Sequence, residues 1–218
     1  MMMEKIIVLL FLMFSNSQTK AELIPTSVSQ MIDKADLIVQ GQIKKVIDSY
    51  IEVSIIRSVK GKVLKKRIRI EKFQNWICAS RYKPYEVGQQ ELFFLQKNKK
   101  NNTWQIMGGG GEGEIPIINK TLYFKSAFPS CCQSTGVGIH QLKNGEKIYG
   151  IAFDLEKATK GISLYLQQEK EIKEKFLDLS ILNFYPKNKF FLQIINEMIC
   201  DISRGFTKEE LAKRNFNL

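Results

Sequence analysis

Alternating hydrophobic and polar residues, and one segment with an apolar centre, predict five β-strands between residues 36 and 107. The apolar centre belongs to Gln90–Lys97 and is expected of a strand buried on both faces. The alternation is clearest around residue 68, where Ile68 and Ile70 face one way and Arg67 and Arg69 face the other. Gly41, in the middle of the first segment, predicts a bulge or a bend. Strands of this length suit a small closed barrel, because closure removes exposed strand edges. The five segments are Asp36–Ile47, Tyr50–Val59, Lys66–Phe73, Gln90–Lys97 and Thr103–Met107.

Other patterns flank these strands. A short helix is predicted from Pro25 to Ala35, with Ser27 as its N-cap. Beyond the five strands, Glu114–Lys125 predicts a further strand, and Asn144-Gly145 predicts the turn of a β-hairpin. The chain is therefore predicted to be mainly β with C-terminal helices, in the α+β class. The two C-terminal segments with helical periodicity are Leu166–Leu182 and Lys187–Ser203.

The first 21 residues differ from the rest of the chain. Lys5 precedes nine apolar residues, Ile6–Phe14, and small and polar residues follow them. This order is typical of a secretory signal peptide, cleaved after Ser17 or Ala21, so the protein is expected to be secreted or periplasmic. The apolar run is shorter than the roughly 20 residues that cross a bilayer. No later segment is apolar enough to cross, so no transmembrane segment is expected.

Four short motifs follow one another along the predicted strands: ADLIVQGQI at 35–43, VSIIRSVKGK at 53–62, IRI at 68–70 and YEVGQQELFFL at 85–95. With Cys78, their order resembles the netrin-like domain, the fold of tissue inhibitors of metalloproteinases, and similar secreted bacterial proteins share this order. The resemblance covers about Ala35 to Met107 and implies a five-stranded OB-like barrel. It does not imply proteinase inhibition. Those inhibitors chelate zinc through an N-terminal cysteine, whereas the mature chain here would begin at Gln18 or Glu22.

The patterns and the resemblance together divide the chain into four parts. Residues 1–21 are the signal peptide, and residues 22–118 form an OB-like β-barrel domain. Residues 119–165 form a β-hairpin extension. Residues 166–218 form a helical C-terminal tail, which is expected to pack on the same unit.

The four cysteines are predicted to form disulfides, because an even number of cysteines in an exported chain is typical of a cross-linked fold. Three pairings are possible, and bonds from the adjacent pair to the two separate cysteines are favoured over a strained bond within the pair. A zinc site is the alternative, but His140 is the only histidine and the usual ligand spacing is missing. No metal or other cofactor is therefore expected. The cysteines are Cys78, Cys131, Cys132 and Cys200.

The net charge of +11 is compatible with an anionic partner. The basic strand with Arg67 and Arg69 is the candidate binding face, and Trp76 and Tyr82 in the following connection could add stacking contacts. The alternative is that both arginines only solvate the outer face of a half-buried strand. Export argues against nucleic acid, so the expected partner is a protein or an anionic glycan or lipid headgroup.

The glycine-rich stretch Ile106–Ile117 is interpreted as a turn and not as a phosphate-binding loop. No Gly-Lys-Ser/Thr sequence follows the glycines, and Glu112 and Glu114 within the stretch would repel a phosphate. Weak calcium binding by the two glutamates is less favoured, because the aspartate-rich spacing of calcium loops is missing. The sequence favours a non-catalytic binding module over an enzyme. The alternative is a secreted hydrolase with an unrecognised carboxylate site.

Overall fold

The computed structural model describes residues 26–76, 79–109, 111–124, 138–177, 187–192 and 194–195. The predicted signal peptide and all four predicted disulfide cysteines lie outside these residues. The predicted short helix is present as α1, Val28–Lys34. Its N-cap is Ser27, whose hydroxyl accepts a hydrogen bond from the backbone N–H of Gln30 at 3.3 Å.

Five strands form a closed barrel, as predicted. Their order around the barrel is β1–β2–β3–β5–β4, and β4 pairs back to β1. The pairing of β3 with β5 is parallel, and the other pairings are antiparallel. This architecture is compatible with an OB-like fold. The strands are β1 (Leu37–Val46), β2 (Tyr50–Lys60), β3 (Arg67–Glu71), β4 (Gln90–Asn98) and β5 (Thr103–Ile106).

The first strand bends at Gly41, as its glycine predicts. The register between β1 and β2 shifts between Gln40 and Gly41. A Cβ atom at position 41 would lie 2.3 Å from Cγ1 of Val53, closer than any side-chain carbon can approach. Glycine is therefore required where β1 curves across the inside of β2.

Four further strands extend the barrel sheet from β4, in the order β6–β7–β9–β8. The prediction of one strand over Glu114–Lys125 is wrong, because the chain reverses at Asn119 and Lys120. Both residues adopt positive φ, 50° and 62°, the backbone of a two-residue hairpin turn. The predicted hairpin around Asn144-Gly145 is present as β8 and β9. The strands are β6 (Glu114–Ile118), β7 (Thr121–Phe124), β8 (Gly138–Gln141) and β9 (Lys147–Asp154).

A long helix, α2 (Leu155–Leu177), follows β9 directly. The predicted helix over Leu166–Leu182 therefore begins too late by 11 residues. Asp154 caps the true start, because its carboxylate accepts a hydrogen bond from the backbone N–H of Lys157 at 2.9 Å. The helix is fixed to α1 by the hydroxyl of Tyr165, which donates to Asp33 at 2.7 Å.

The two faces of β4 contribute to two hydrophobic cores. Phe93 and Leu95 point into the barrel, and Leu92 and Phe94 point into a layer between the barrel, α1 and α2. All four side chains are fully buried, as predicted for a strand covered on both faces. The second core also includes residues 190–191 and 194–195 near the end of the described chain.

Candidate functional site

The predicted binding strand presents its arginines to solvent. In β3, Arg67 and Arg69 are exposed and lie opposite Ser54 and Glu52 of β2, whereas Ile70 is fully buried. The guanidinium of Arg69 lies 3.6 Å from the Glu52 carboxylate and 5.1 Å from the ring centre of Tyr50. Because Arg69 is well exposed, this ion pair is screened by water and contributes little to stability.

A basic surface continues from β3 into the turn before it. We call residues 57–69 the basic hairpin; this segment contains seven cationic residues and no acidic residue. Two of the seven make contacts elsewhere in the fold. Lys60 donates to the backbone carbonyls of Ile32 and Asp33 at 2.6 and 3.0 Å, and Arg57 pairs with Glu156 at 3.0 Å. The other five are exposed: Lys62, Lys65, Lys66, Arg67 and Arg69.

Glu71 marks the acidic end of β3. Its carboxylate accepts hydrogen bonds from Thr103, Asn101, Gln105 and Asn98, which together fasten the β4–β5 turn to β3. The bond from Thr103 is the largest cause of the shift that lowers the pKa of Glu71 to about 2. This carboxylate is therefore charged at any physiological pH, and the basic surface ends beside it.

The two predicted aromatic ligand-binding residues lie with another group of contacts. Trp76 is 40% exposed and donates its indole N–H to the backbone carbonyl of Gly109 at 2.8 Å. Tyr82 packs under the guanidinium of Arg81, which lies 5.2 Å from its ring centre. These side-chain contacts thus join Trp76 to the glycine-rich turn and Tyr82 to Arg81, whereas those of Arg69 are with β2.

The sequence patterns did not predict a buried ionic cluster that Arg81, Glu91 and Glu114 form. Arg81, in the irregular connection between β3 and β4, reaches Glu91 of β4 and Glu114 of β6 with its Nη2 atom. The distance from Nη2 to Glu114 Oε1 is 2.9 Å, and the hydroxyl of Tyr85 donates to the other oxygen of Glu114 at 2.9 Å. The side chains of Arg81, Glu91 and Glu114 are only 6%, 0% and 1% exposed. The cluster ties the connection to two strands.

The charges in this cluster are set by burial and by their spacing. Burial raises the pKa of Glu91 well above its usual range, and the neighbouring Glu114 carboxyl raises it further, against the opposing effect of Arg81. Although burial opposes its charge, the carboxylates of Glu91 and Glu114 raise the pKa of Arg81. Glu91 therefore holds a proton to a higher pH than an exposed glutamate does, beside the buried guanidinium of Arg81. The pKa of Tyr85 is also raised, chiefly by burial.

A cavity of about 210 Å³ lies beside this cluster, between β6, β7, β9 and the glycine-rich turn. Its wall includes Glu112 and Glu114, together with Tyr82, Tyr123 and Lys147. As predicted, the described residues of the glycine-rich stretch form a turn, with positive φ at Gly108 and Gly111. The turn buries Glu112, which is 6% exposed, so this glutamate belongs to the cavity and not to the solvent. A carboxyl with a raised pKa, such as Glu91, is suited to acid–base chemistry, but the described bonds of Glu91 and Glu114 bind them to Arg81 and Tyr85.

No protein-family model matches the chain, and no curated protein matches it significantly. The OB-like architecture therefore rests on the closed barrel itself, and no family match supports the netrin-like relationship. No helix within the described ranges is both long and apolar enough to span a membrane. In the same part of the chain, no group of three or more His, Cys, Asp or Glu side chains is arranged to hold a metal ion.

Proposed function

We propose that the protein is an exported, non-catalytic binding module, related to netrin-like domains, that holds an anionic partner against its basic hairpin. One observation carries the proposal: five exposed cations lie within eight consecutive residues, 62–69, with no acidic residue among them. All five side chains are exposed, and among the described residues only Arg69 of the five takes part in an ion pair, with Glu52 at 3.6 Å. The partner is a protein or an anionic glycan or lipid headgroup, since export argues against nucleic acid.

The geometry of the hairpin supports a binding surface. Arg67 and Arg69 project from the same face of one strand, and the backbone of β3 is held by β2 on one side and β5 on the other. Each cation near an anionic surface contributes about 1 kcal/mol, and the attraction falls off within a Debye length of roughly 10 Å at 0.1 M salt. The five cations of the hairpin therefore act together only on a partner that carries several negative charges.

Binding to dextran sulfate, a soluble anionic polymer, tests this surface. Replacing both Arg67 and Arg69 with alanine removes two of the cations and is expected to weaken binding by roughly 30-fold at low salt, from about 1 kcal/mol for each cation. The wild-type affinity should also fall steeply with ionic strength. Both quantities can be measured by fluorescence anisotropy with labelled protein.

The matched control is the double replacement of Lys99 and Lys100 with alanine. These lysines are exposed on the β4–β5 turn, outside the basic hairpin, and their loss changes the net charge by the same amount. The control variant is expected to bind dextran sulfate nearly as well as the wild type. Equal weakening by the two double variants would show that only net charge matters, and the proposed surface would then be rejected.

Export and cross-linking are parts of the same proposal and are supported by the N-terminal pattern and by the four cysteines. The intact mass of the protein recovered from its own cells, before and after reduction and alkylation, tests both. We expect the loss of the first 17 or 21 residues and four cysteines that alkylate only after reduction. A full-length chain with free thiols would contradict both parts and would admit nucleic acid as a partner of the basic hairpin.

A further inference from the structure

The turn of the basic hairpin carries an apolar side chain at its tip. Leu64 is 97% exposed, more than any other large hydrophobic side chain in the described residues. The preceding residue, Val63, is partly buried and packs against the barrel core. The turn therefore directs the side chain of Val63 inward and that of Leu64 outward. Leu64 is exposed because its neighbour packs on the barrel.

The base of this turn is fixed. Gly61 adopts a φ of +82°, and a Cβ atom there would lie 2.4 Å from the carbonyl oxygen of Asp36. The hydroxyl of Ser58 hydrogen-bonds to the carbonyls of Lys60 and Gly61 at 3.2 and 2.9 Å. The exposed tip thus stands on a backbone that is held against β1.

Four cations surround the exposed leucine in sequence: Lys62, Lys65, Lys66 and Arg67. All four are exposed, and none of them takes part in an ion pair among the residues that the structure describes. A hydrophilic polymer would contact the cations but would gain nothing from the leucine. A lipid bilayer offers both partners, because anionic headgroups attract the cations and the acyl boundary beneath them accepts an apolar side chain.

We propose that the basic hairpin docks on a membrane surface that carries anionic lipids, with Leu64 inserted between the headgroups. This inference rests on the proposed function and deepens it by identifying the anionic partner as a lipid bilayer. Charge complementarity of Lys62, Lys65, Lys66 and Arg67 brings the hairpin to the surface. Removal of the leucine side chain from water then favours the docked state.

The test uses the full mature chain with two kinds of vesicle, phosphatidylcholine alone and phosphatidylcholine mixed with phosphatidylglycerol, in a co-sedimentation assay. The wild type is expected to bind only the anionic vesicles. Replacing Leu64 with serine should weaken that binding about tenfold and leave binding to dextran sulfate unchanged, because the loss concerns apolar burial and not charge. The matched control is Val87→Ser, which removes an apolar side chain that is 66% exposed outside the basic hairpin and should bind like the wild type.

A fluorescent variant reports insertion directly. Leu64→Trp should bind anionic vesicles at least as well as the wild type. Its tryptophan emission, after subtraction of the wild-type spectrum, should shift to the blue with those vesicles and not with dextran sulfate.

The outcomes separate this inference from the proposed function. If Leu64→Ser binds anionic vesicles like the wild type and Leu64→Trp emission does not shift, the bilayer inference is overturned. The hairpin then binds anionic surfaces by charge alone, without insertion of Leu64. If the Arg67/Arg69 double variant binds both vesicles and dextran sulfate like the wild type, the proposed function fails, and the bilayer inference fails with it.

Discussion

Replacing Arg81 with methionine is expected to lower the free energy of unfolding by about 3–5 kcal/mol, because breaking a buried ion pair leaves an uncompensated charge in the interior. Arg81 is the only described cation within salt-bridge distance of Glu91 and Glu114, and both carboxyl groups are almost completely buried. Methionine keeps most of the side-chain length and removes the charge. Without the guanidinium, the buried carboxyl groups lose their compensating charge, which favours opening of the connection to water. Chemical denaturation at neutral pH measures the loss.

Two comparisons distinguish this ionic contribution from general damage. Arg57→Met breaks the exposed pair with Glu156 and should cost at most about 1 kcal/mol, as surface ion pairs do. The triple variant Arg81→Met, Glu91→Gln, Glu114→Gln removes every charge in the cluster and should recover much of the stability that Arg81→Met loses. Equal, small losses for Arg57→Met and Arg81→Met would contradict the burial of the cluster.

The barrel was predictable because each of its strands carries its own evidence in the sequence. In β3, arginines and isoleucines alternate over residues 67–70. This local alternation identifies the buried face of the strand, whichever strands pair with it. The apolar centre of β4 likewise predicts burial on both sides. The bend at Gly41 is also local, since only glycine allows the close approach of Val53.

The missed features depend on contacts between distant segments or on weak local preferences. The turn at Asn119 and Lys120 contains no glycine, so its positive φ angles had no strong marker. The start of α2 at Leu155 was marked only by Asp154 as a possible cap, in a segment that also contains Gly161. The first error joined two strands into one and the second moved the start of a helix, and neither changed the fold class.

The ionic cluster could be found only in part from the sequence. Glu91 directly precedes the apolar run of β4, Leu92–Leu95, and a carboxyl in a strand buried on both faces requires a partner. The sequence does not identify the partners, because they depend on how the strands pair. The register of β4 with β6 places Glu91 opposite Pro116, and Glu114 is the diagonal neighbour two residues before Pro116. Arg81 comes from a connection without regular structure. The exposure of Leu64 was not predictable for a similar reason, because it depends on the packing of Val63 against the barrel core.

The second large effect concerns pH: the protein is expected to become less stable as the pH rises above the ordinary pKa of a glutamate, about 4.3. Glu91 has a raised pKa in the folded state, so the native protein keeps a proton that the unfolded chain releases. Its contribution to stability is fully present below the unfolded pKa and is lost as the pH rises through the folded pKa. For one proton, the slope reaches at most about 1.4 kcal/mol per pH unit.

Glu71 has the opposite effect and acts in a separate pH range. Its pKa is lowered to about 2, so its contribution to stability is lost only as the pH drops below about 4.3.

Replacing Glu91 with glutamine should remove this loss, because a neutral amide occupies the place of the protonated carboxyl at every pH. Near pH 4 the variant and the wild type are expected to have similar free energies of unfolding, and at higher pH the variant should be the more stable protein. The groups that face Glu91 are Arg81 and Glu114, with Tyr82 and Tyr85 beside them, and the pKa values of both tyrosines are raised above their ordinary alkaline range. Neither tyrosine therefore titrates in this window.

The matched control is Glu86→Gln in the same connection. This glutamate is exposed and pairs with Lys83, so the wild-type slope should persist in the control variant. Urea denaturation of the three proteins across this pH range measures the slopes. A slope in Glu91→Gln equal to that of the wild type would show that Glu91 is not the group whose raised pKa causes the loss.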